Sequence, residues 1–244
     1  MMASAAGAVG TLAAPALAAQ DAAARGGDAF RPVPTKDGYA DLTPDEALQF
    51  LIDGNEAFLA GEVANAPMGN DRRLELAKGQ SPFVAYVTCS DSRVPPELLF
   101  GRGLGELFII RNAGNTVDTA AMGSIEYAVH VLKVPLVVVM GHEKCGAVKA
   151  ACDIVNSDAK FPGAIDDMIH PILPAVLGCR DKAGATDLDK AVHENVRRVV
   201  NRLRNEADPI MLEPQKAGKL KVVGAYYDLD AGRVDFFDRP EAAI

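Results

Sequence analysis

The chain has 244 residues, of which 49% are hydrophobic and 24% are charged, and its formal net charge is -8. This length suits one large α/β domain, and no linker, internal repeat or long run of like charge marks a second one. The acidic balance argues against a nucleic-acid surface, which needs clustered Lys and Arg. Four cysteines are too few for a disulfide framework in a chain this long. We therefore expect a small-molecule substrate or a protein partner.

The first 27 residues are predicted to be a signal peptide or a disordered segment. Residues 3–19 are Ala-rich and uncharged, and they end in Ala16-Leu17-Ala18, which has the small-x-small form of a signal-peptidase site. A basic segment before the apolar run is missing, as in a longer signal whose start lies upstream. The run is too short and too weakly apolar for a membrane span. We expect export to the periplasm, and the alternative is a cytoplasmic protein with a disordered tail.

A helix is predicted to follow an extended arm. Residues 28–42 are predicted to be extended because Pro32 and Pro34 oppose helix and Asp37-Gly38 favours a turn. Thr43-Pro44-Asp45-Glu46 then forms a capping box with Pro at the first helical position, which predicts a helix start.

From residue 83 onward, short apolar runs alternate with stretches of helical periodicity. Strands are predicted at 83–87, 107–110, 135–140, 220–227 and 234–237, and helices at 72–78, at 118–132, from 146 and from 187. This alternation is typical of right-handed βαβ units, and the last two strands read as a terminal pair at the sheet edge. We predict that residues 43–244 form a single α/β domain with a mostly parallel central sheet flanked by helices, and that an N-terminal helical arm precedes the sheet.

Polar residues follow two of these strands where each strand ends. Cys89-Ser90-Asp91-Ser92-Arg93 follows the first strand, and the segment 141–146, which contains His142 and Cys145, follows the third. Ligands bind beyond the carboxyl ends of parallel strands, so Cys89, His142 and Cys145 are predicted to meet in one crevice. Two thiolates and one imidazole form an open zinc site in which water or substrate takes the fourth position. The alternative is two small buried cysteines and an ordinary loop histidine.

Asp91 has two possible roles beside such a site. It could be a fourth metal ligand, or it could accept a hydrogen bond from the metal-bound water. A bidentate pair with Arg93 would hold the carboxylate off the metal and keep it ionised. The alternative for the two residues is a surface ion pair of little consequence.

Four segments resemble the motif series of the β-class carbonic anhydrases. They are Cys-Ser-Asp-Ser-Arg-Val-Pro at 89–95, Gly-Glu-Leu-Phe-x-x-Arg-Asn at 105–112, Ser-Ile-Glu-Tyr-Ala-Val at 124–129 and Gly-His-x-x-Cys-Gly at 141–146. The order and spacing match from about residue 43 to the end of the chain, and residues 1–42 have no match.

This resemblance implies a set of site residues. They are Cys89, His142 and Cys145 as ligands of one Zn²⁺ per subunit, Asp91 and Arg93 as an Asp/Arg dyad, and Gln80, Phe108, Tyr127 and the backbone amide of Gly146 around bound bicarbonate. In that family the aromatic residues reach across a dimer interface. The resemblance therefore also implies a homodimer or higher homo-oligomer, with the N-terminal arm lying on its partner.

The function implied by the resemblance is the zinc-dependent, reversible hydration of CO2 to bicarbonate and a proton by zinc-bound hydroxide. One alternative is an enzyme of the same scaffold that hydrolyses carbonyl sulfide or carbon disulfide. Another is a non-catalytic zinc-binding module in which Asp91 closes the metal site.

Of the other two cysteines, Cys152 is predicted to be a core residue and Cys179 an isolated thiol, and the two could pair in an exported protein.

Overall fold

The computed structural model describes residues 30–62, 66 and 68–240 of the chain. The predicted signal segment, 1–27, lies outside these residues. The strands, in chain order, are β1 Thr35–Lys36, β2 Tyr39–Ala40, β3 Val84–Thr88, β4 Leu107–Arg111, β5 Leu136–His142, β6 Lys221–Tyr227 and β7 Val234–Asp238. The helices are α1 Pro44–Leu59, α2 Asn70–Leu76, α3 Pro96–Leu99, α4 Thr119–His130, α5 Gly146–Ser157, α6 Ala164–Ile169, α7 Leu173–Gly178, α8 Leu188–Asn205 and α9 Pro209–Lys216.

A five-stranded sheet forms the centre of the molecule, in the order β4-β3-β5-β6-β7. The first four strands of this order are parallel to one another, and β7 pairs antiparallel with β6 at the edge. The predicted fold class and the terminal strand pair are therefore confirmed. Since β3 and β5 lie in the middle, their carboxyl ends meet at one edge of the sheet.

Helices cover both faces of the sheet. Along β3, Val84 and Tyr86 pack into a core shared with α1 and α5, whereas Ala85 and Val87 pack into a second core shared with α4 and α8. Every residue of β3 and β5 is buried. This explains why both strands are continuous apolar runs, because a parallel strand covered on both faces has no solvent side.

The helix after the arm begins where the capping box predicts. The Thr43 hydroxyl accepts from the Glu46 amide at 3.3 Å, and the Glu46 carboxylate accepts from the Thr43 amide at 2.8 Å.

The described part of the arm packs against its own chain. Ser81 Oγ donates to the carbonyl of Gly38 at 2.7 Å, and the Arg31 guanidinium lies 4.3 Å from the centre of the Phe50 ring. Contact of the arm with a partner subunit stays a prediction.

The structure differs from the sequence-based prediction mainly after residue 157. Helices α6, α7 and α9 were not predicted, and the short helix predicted at 72–78 lies at Asn70–Leu76. Cys152 is buried in the core, as predicted, and Cys179 caps α7. In the part of the chain that the structure describes, no helix combines the length and apolar character that crossing a bilayer requires.

Candidate metal centre

Cys89, His142 and Cys145 meet at the carboxyl edge of the sheet. One ligand atom from each residue lies within 4.8 Å of the others, and the two sulfurs are 4.0 Å apart. All three residues are buried. The prediction that these residues share one crevice is confirmed, and a donor set of two sulfurs and one imidazole nitrogen suits zinc.

Strand register brings the three residues together. Thr88, the last residue of β3, lies opposite Met140 of β5, so Cys89 leaves the sheet beside Gly141 and His142. At Gly141 a Cβ atom would lie 2.7 Å from Val192 Cγ1 of α8, so this close approach requires glycine. Cys145 then occupies the N-cap of α5.

The His142 imidazole is oriented by its own turn. Its Nδ1 lies 2.8 Å from the carbonyl oxygen of Glu143, so Nδ1 carries the proton and Nε2 carries the lone pair. Nε2 is buried and forms no hydrogen bond with any residue that the structure describes. A buried nitrogen lone pair without a donor is costly, and a metal ion would satisfy it. The three side chains therefore fit a metal ion.

The ionisation of the two thiols is coupled, because their sulfurs lie 4.0 Å apart. A hydrogen bond from Cys145 lowers the pKa of Cys89, and the same contact, together with burial, raises the pKa of Cys145. The Cys89 sulfur also accepts from the backbone amide of Gly114 at 3.3 Å. A divalent cation would displace the remaining proton, because the thiolate is the form that ligates metals.

Asp91 lies beside the three ligands and is held by Arg93. The carboxylate accepts from Arg93 Nε and from a terminal guanidinium nitrogen, and its Oδ2 is 3.8 Å from His142 Nε2. These hydrogen bonds lower the pKa of Asp91 to about 2, so the group is ionised near neutral pH. The Asp91 side chain is 17% exposed and adjoins the candidate metal ligands, whereas the Arg93 side chain is 51% exposed. A role for the pair in the reaction stays a prediction.

Arg111, the last residue of β4, supports the loop that carries Cys89 and Asp91. Its Nε donates to the carbonyl of Cys89 at 3.0 Å, and a terminal nitrogen donates to the carbonyl of Asp91. Arg111 lies within the motif segment 105–112, but the motif alone indicates no role for it. Arg111 lies opposite Thr88 in the sheet register. The pairing of β3 with β4 therefore places Arg111 beside the loop that begins at Cys89.

The predicted bicarbonate residues are divided between the two ends of the sheet. Gly146 is the first residue of α5 and follows Cys145 directly, so its amide is not used within the helix. Gln80 precedes the amino end of β3, and Phe108 is level with Ala85 near that same end. Tyr127 of α4 lies near Phe108, with ring centres 6.2 Å apart, and is 47% exposed. Within one chain, Gln80, Phe108 and Tyr127 therefore do not line the cluster.

The family model described as carbonic anhydrase matches residues 84–234 of the chain, a span that contains all three candidate ligands. The chain belongs to the β-carbonic anhydrase family. A carbonic anhydrase from Mycolicibacterium smegmatis is 40% identical over 192 residues, covering 79% of this chain and 92% of that protein. Carbonic anhydrase 2 from Mycobacterium tuberculosis is 41% identical over 191 residues, covering 78% and 91%.

Solved β-carbonic anhydrases share the fold. A tetrameric enzyme from the fungus Sordaria macrospora superposes with a TM-score of 0.62 at 30% identity, covering 69% of this chain and 87% of that one. The Coccomyxa enzyme in complex with acetazolamide gives a TM-score of 0.57 at 32% identity, covering 67% and 75%.

Proposed function

We propose that this β-carbonic anhydrase family member catalyses the zinc-dependent, reversible hydration of CO2 to bicarbonate and a proton. The observation that carries this proposal is the buried Cys89–His142–Cys145 cluster, in which a lone pair on His142 faces two thiols and a carboxylate stands close by but is held by Arg93. Three protein ligands leave one position open, as in catalytic zinc sites.

The chemistry divides between the metal and the chain. Zinc bound here would supply Lewis acidity and lower the pKa of a coordinated water, so that a nucleophile is available near neutral pH. Cys89, His142 and Cys145 would hold the ion. The Asp91 carboxylate, ionised because of Arg93, can accept a hydrogen bond and so orient the reacting group. The amide of Gly146, the first residue of α5, has no partner within the helix and can donate to an oxygen on which negative charge develops.

Gln80, Phe108 and Tyr127 would act in a neighbouring subunit's site. They lie toward the amino end of β3 and β4, and Tyr127 keeps an aromatic ring half in solvent. The Sordaria relative is tetrameric, which supports a homo-oligomer for this chain also. We propose at least a homodimer in which these residues of one chain complete the CO2 and bicarbonate site of the other.

The position of Asp91 favours an enzyme over a closed, non-catalytic zinc module. In a closed module the carboxylate would be the fourth ligand. In the structure both carboxylate oxygens accept hydrogen bonds from Arg93, and Oδ1 also accepts from the Arg93 amide at 2.9 Å. A carboxylate that accepts three hydrogen bonds from one residue is held away from the metal position.

The decisive test is a stopped-flow CO2 hydration assay on the full chain with its zinc content measured. Proton release that depends on CO2, at one zinc per subunit, supports the proposal. Cys145→Ala is the matched inactive control, because two remaining protein ligands would not hold the ion. Full zinc occupancy without CO2 turnover would contradict the proposal, and parallel assays with carbonyl sulfide and carbon disulfide would then identify the alternative substrates.

Export remains a separate proposal that rests on sequence alone. Cleavage after the small-x-small site would give a mature chain that begins near Ala19. Intact-mass measurement of protein from its native host tests this, and a chain that retains Met1 to Ala18 would contradict it.

A further inference from the structure

The long helix α8 reaches the metal centre through one buried amide. Asn195 is 3% exposed, and its Nδ2 donates to the carbonyl of Gly114 at 2.8 Å. The amide of the same glycine donates to the Cys89 sulfur at 3.3 Å. Asn195 is therefore linked to a candidate zinc ligand through a single residue, although it lies outside all four motif segments.

The turn that carries Gly114 fits tightly in its surroundings. Gly114 has a φ of +63°, and a Cβ atom there would lie 2.6 Å from Ile172 Cδ1 and 3.3 Å from Ala147 Cβ. Gly114 is buried, so its carbonyl depends on a protein donor. A turn that loses this donor leaves an unsatisfied carbonyl in the core, which favours reorientation of the turn.

We propose that Asn195 is a positioning residue that fixes the hydrogen bond from the Gly114 amide to the Cys89 sulfur. This inference rests on the proposed metal centre. A hydrogen bond to a thiolate draws charge from the sulfur and so tunes what the sulfur donates to a metal. Asn195 thereby links the packing of α8 to the electronic character of the site.

The sulfur's charge can be observed directly in the cobalt-substituted protein. Cobalt(II) bound to thiolates gives a near-ultraviolet sulfur-to-metal charge-transfer band, whose energy falls as charge on the sulfur rises. Two variants remove the donor: Asn195→Ala, and Asn195→Leu, which keeps the branched shape of the side chain. In both we expect the band to move to longer wavelength and metal affinity to fall on the order of tenfold, as for other outer-shell partners of metal ligands.

Val200→Ala is the matched control. Val200 is also fully buried on α8, but it packs beside Gly224, which pairs with Val139 rather than with the ligand turn. This variant loses core packing while the Gly114 hydrogen bonds are retained, so its band and affinity should match those of the parent. If either folded Asn195 variant keeps the parent's band and affinity, or if Val200→Ala shifts them equally, the inference is wrong.

The same experiment separates this inference from the proposed function. A parent protein whose cobalt form shows no thiolate band would refute the metal centre, and the inference with it. A parent that shows the band but hydrates no CO2 would refute the proposed reaction, whereas a shifted band in the Asn195 variants would still support the positioning role.

Discussion

Arg93 and Asp91 form a bidentate pair beside the candidate metal ligands. Arg93 Nε lies 2.9 Å from Oδ1 of Asp91, and a terminal guanidinium nitrogen lies 2.7 Å from Oδ2. The same Oδ2 is 3.8 Å from His142 Nε2, the buried atom whose lone pair is free for a metal. The carboxylate therefore lies beside the metal position while Arg93 holds it. We expect that loss of Arg93 would free the carboxylate to reach the metal.

Arg93→Ala should keep zinc and lose activity. The released Asp91 carboxylate could occupy the open metal position, and we expect CO2 hydration to fall by at least 10- to 100-fold, as when outer-shell partners of a metal site are removed. Stopped-flow assays measure the loss, and X-ray absorption at the zinc edge should show an added oxygen ligand from the protein. Lys149→Ala, which removes only the exposed pair with Asp153 on α5, is the control. Wild-type turnover with unchanged coordination in Arg93→Ala would exclude Arg93 from the mechanism.

The Asp91–Arg93 pair should also make the free energy of unfolding depend on pH. Hydrogen bonds from Arg93 lower the pKa of Asp91 to about 2, below its value in an unfolded chain. The unfolded state therefore binds the proton more readily, so the stability due to the pair is present above about pH 4 and is lost as the pH falls through about 2. In urea titrations of metal-free protein, the difference between the parent and Arg93→Ala should be constant from neutral pH to about pH 5 and should shrink below about pH 4. A difference that stays constant through this acid range would contradict the depressed pKa.

Arg111→Met should weaken the site without touching a ligand. The substitution leaves the carbonyls of Cys89 and Asp91 without their guanidinium donor. We expect a loss of about 1–3 kcal/mol in the free energy of unfolding, and weaker zinc binding in a chelator competition. Arg111→Lys should not restore either quantity, because one ammonium group cannot reproduce the planar fork. Arg72→Met is the control, since it removes a similar bond to the Leu104 carbonyl far from the cluster. Equal effects of the two Met variants on zinc binding would contradict the prediction.

The sequence predicts those parts of the site that follow from strand geometry. Cys89 and His142 could be placed together because parallel neighbouring strands deliver their carboxyl ends to one edge. Asn195 could not be placed there. It lies on a helix whose periodicity identifies only the buried face, and its partner, the carbonyl of Gly114, is 81 residues away in the chain. Long-range backbone contacts of this kind leave no local pattern.

Proline accounts for part of what was missed in the fold. Helix α9 contains Pro214 in its interior. Internal proline normally argues against helix. In α9 a start signal was nevertheless present, because Asp208 caps the helix and Pro209 occupies its first position. The interior Pro214 weakens the helical pattern over a segment of eight residues.

Removing the metal should leave the chain folded. The three ligands lie at the edge of a sheet whose strands β3 and β5 are buried along their whole length, so the core does not depend on the ion. After treatment with a chelator we expect the far-ultraviolet circular dichroism to be retained and the melting temperature to fall. Excess zinc should raise the melting temperature again. At a free zinc concentration 1,000 times Kd, binding should increase the free energy of unfolding by about 4 kcal/mol. Unfolding on chelation would instead show that the site is a structural zinc centre.

Mixed dimers can show whether one chain completes its partner's site. Tyr127 is 47% exposed and lies beside Phe108 rather than beside the ligands of its own chain, so Tyr127→Ala should preserve folding while impairing CO2 hydration. Cys145→Ala should impair it by metal loss. In a heterodimer of the two variants, the Tyr127→Ala chain keeps its ligands and would receive an intact tyrosine from the Cys145→Ala chain. Under two-fold symmetry, one of the two sites is then complete, and purified heterodimer should recover about half of the parent's activity. If Tyr127 instead acts within its own chain, both sites are defective and the heterodimer should be no more active than the homodimers of the two variants.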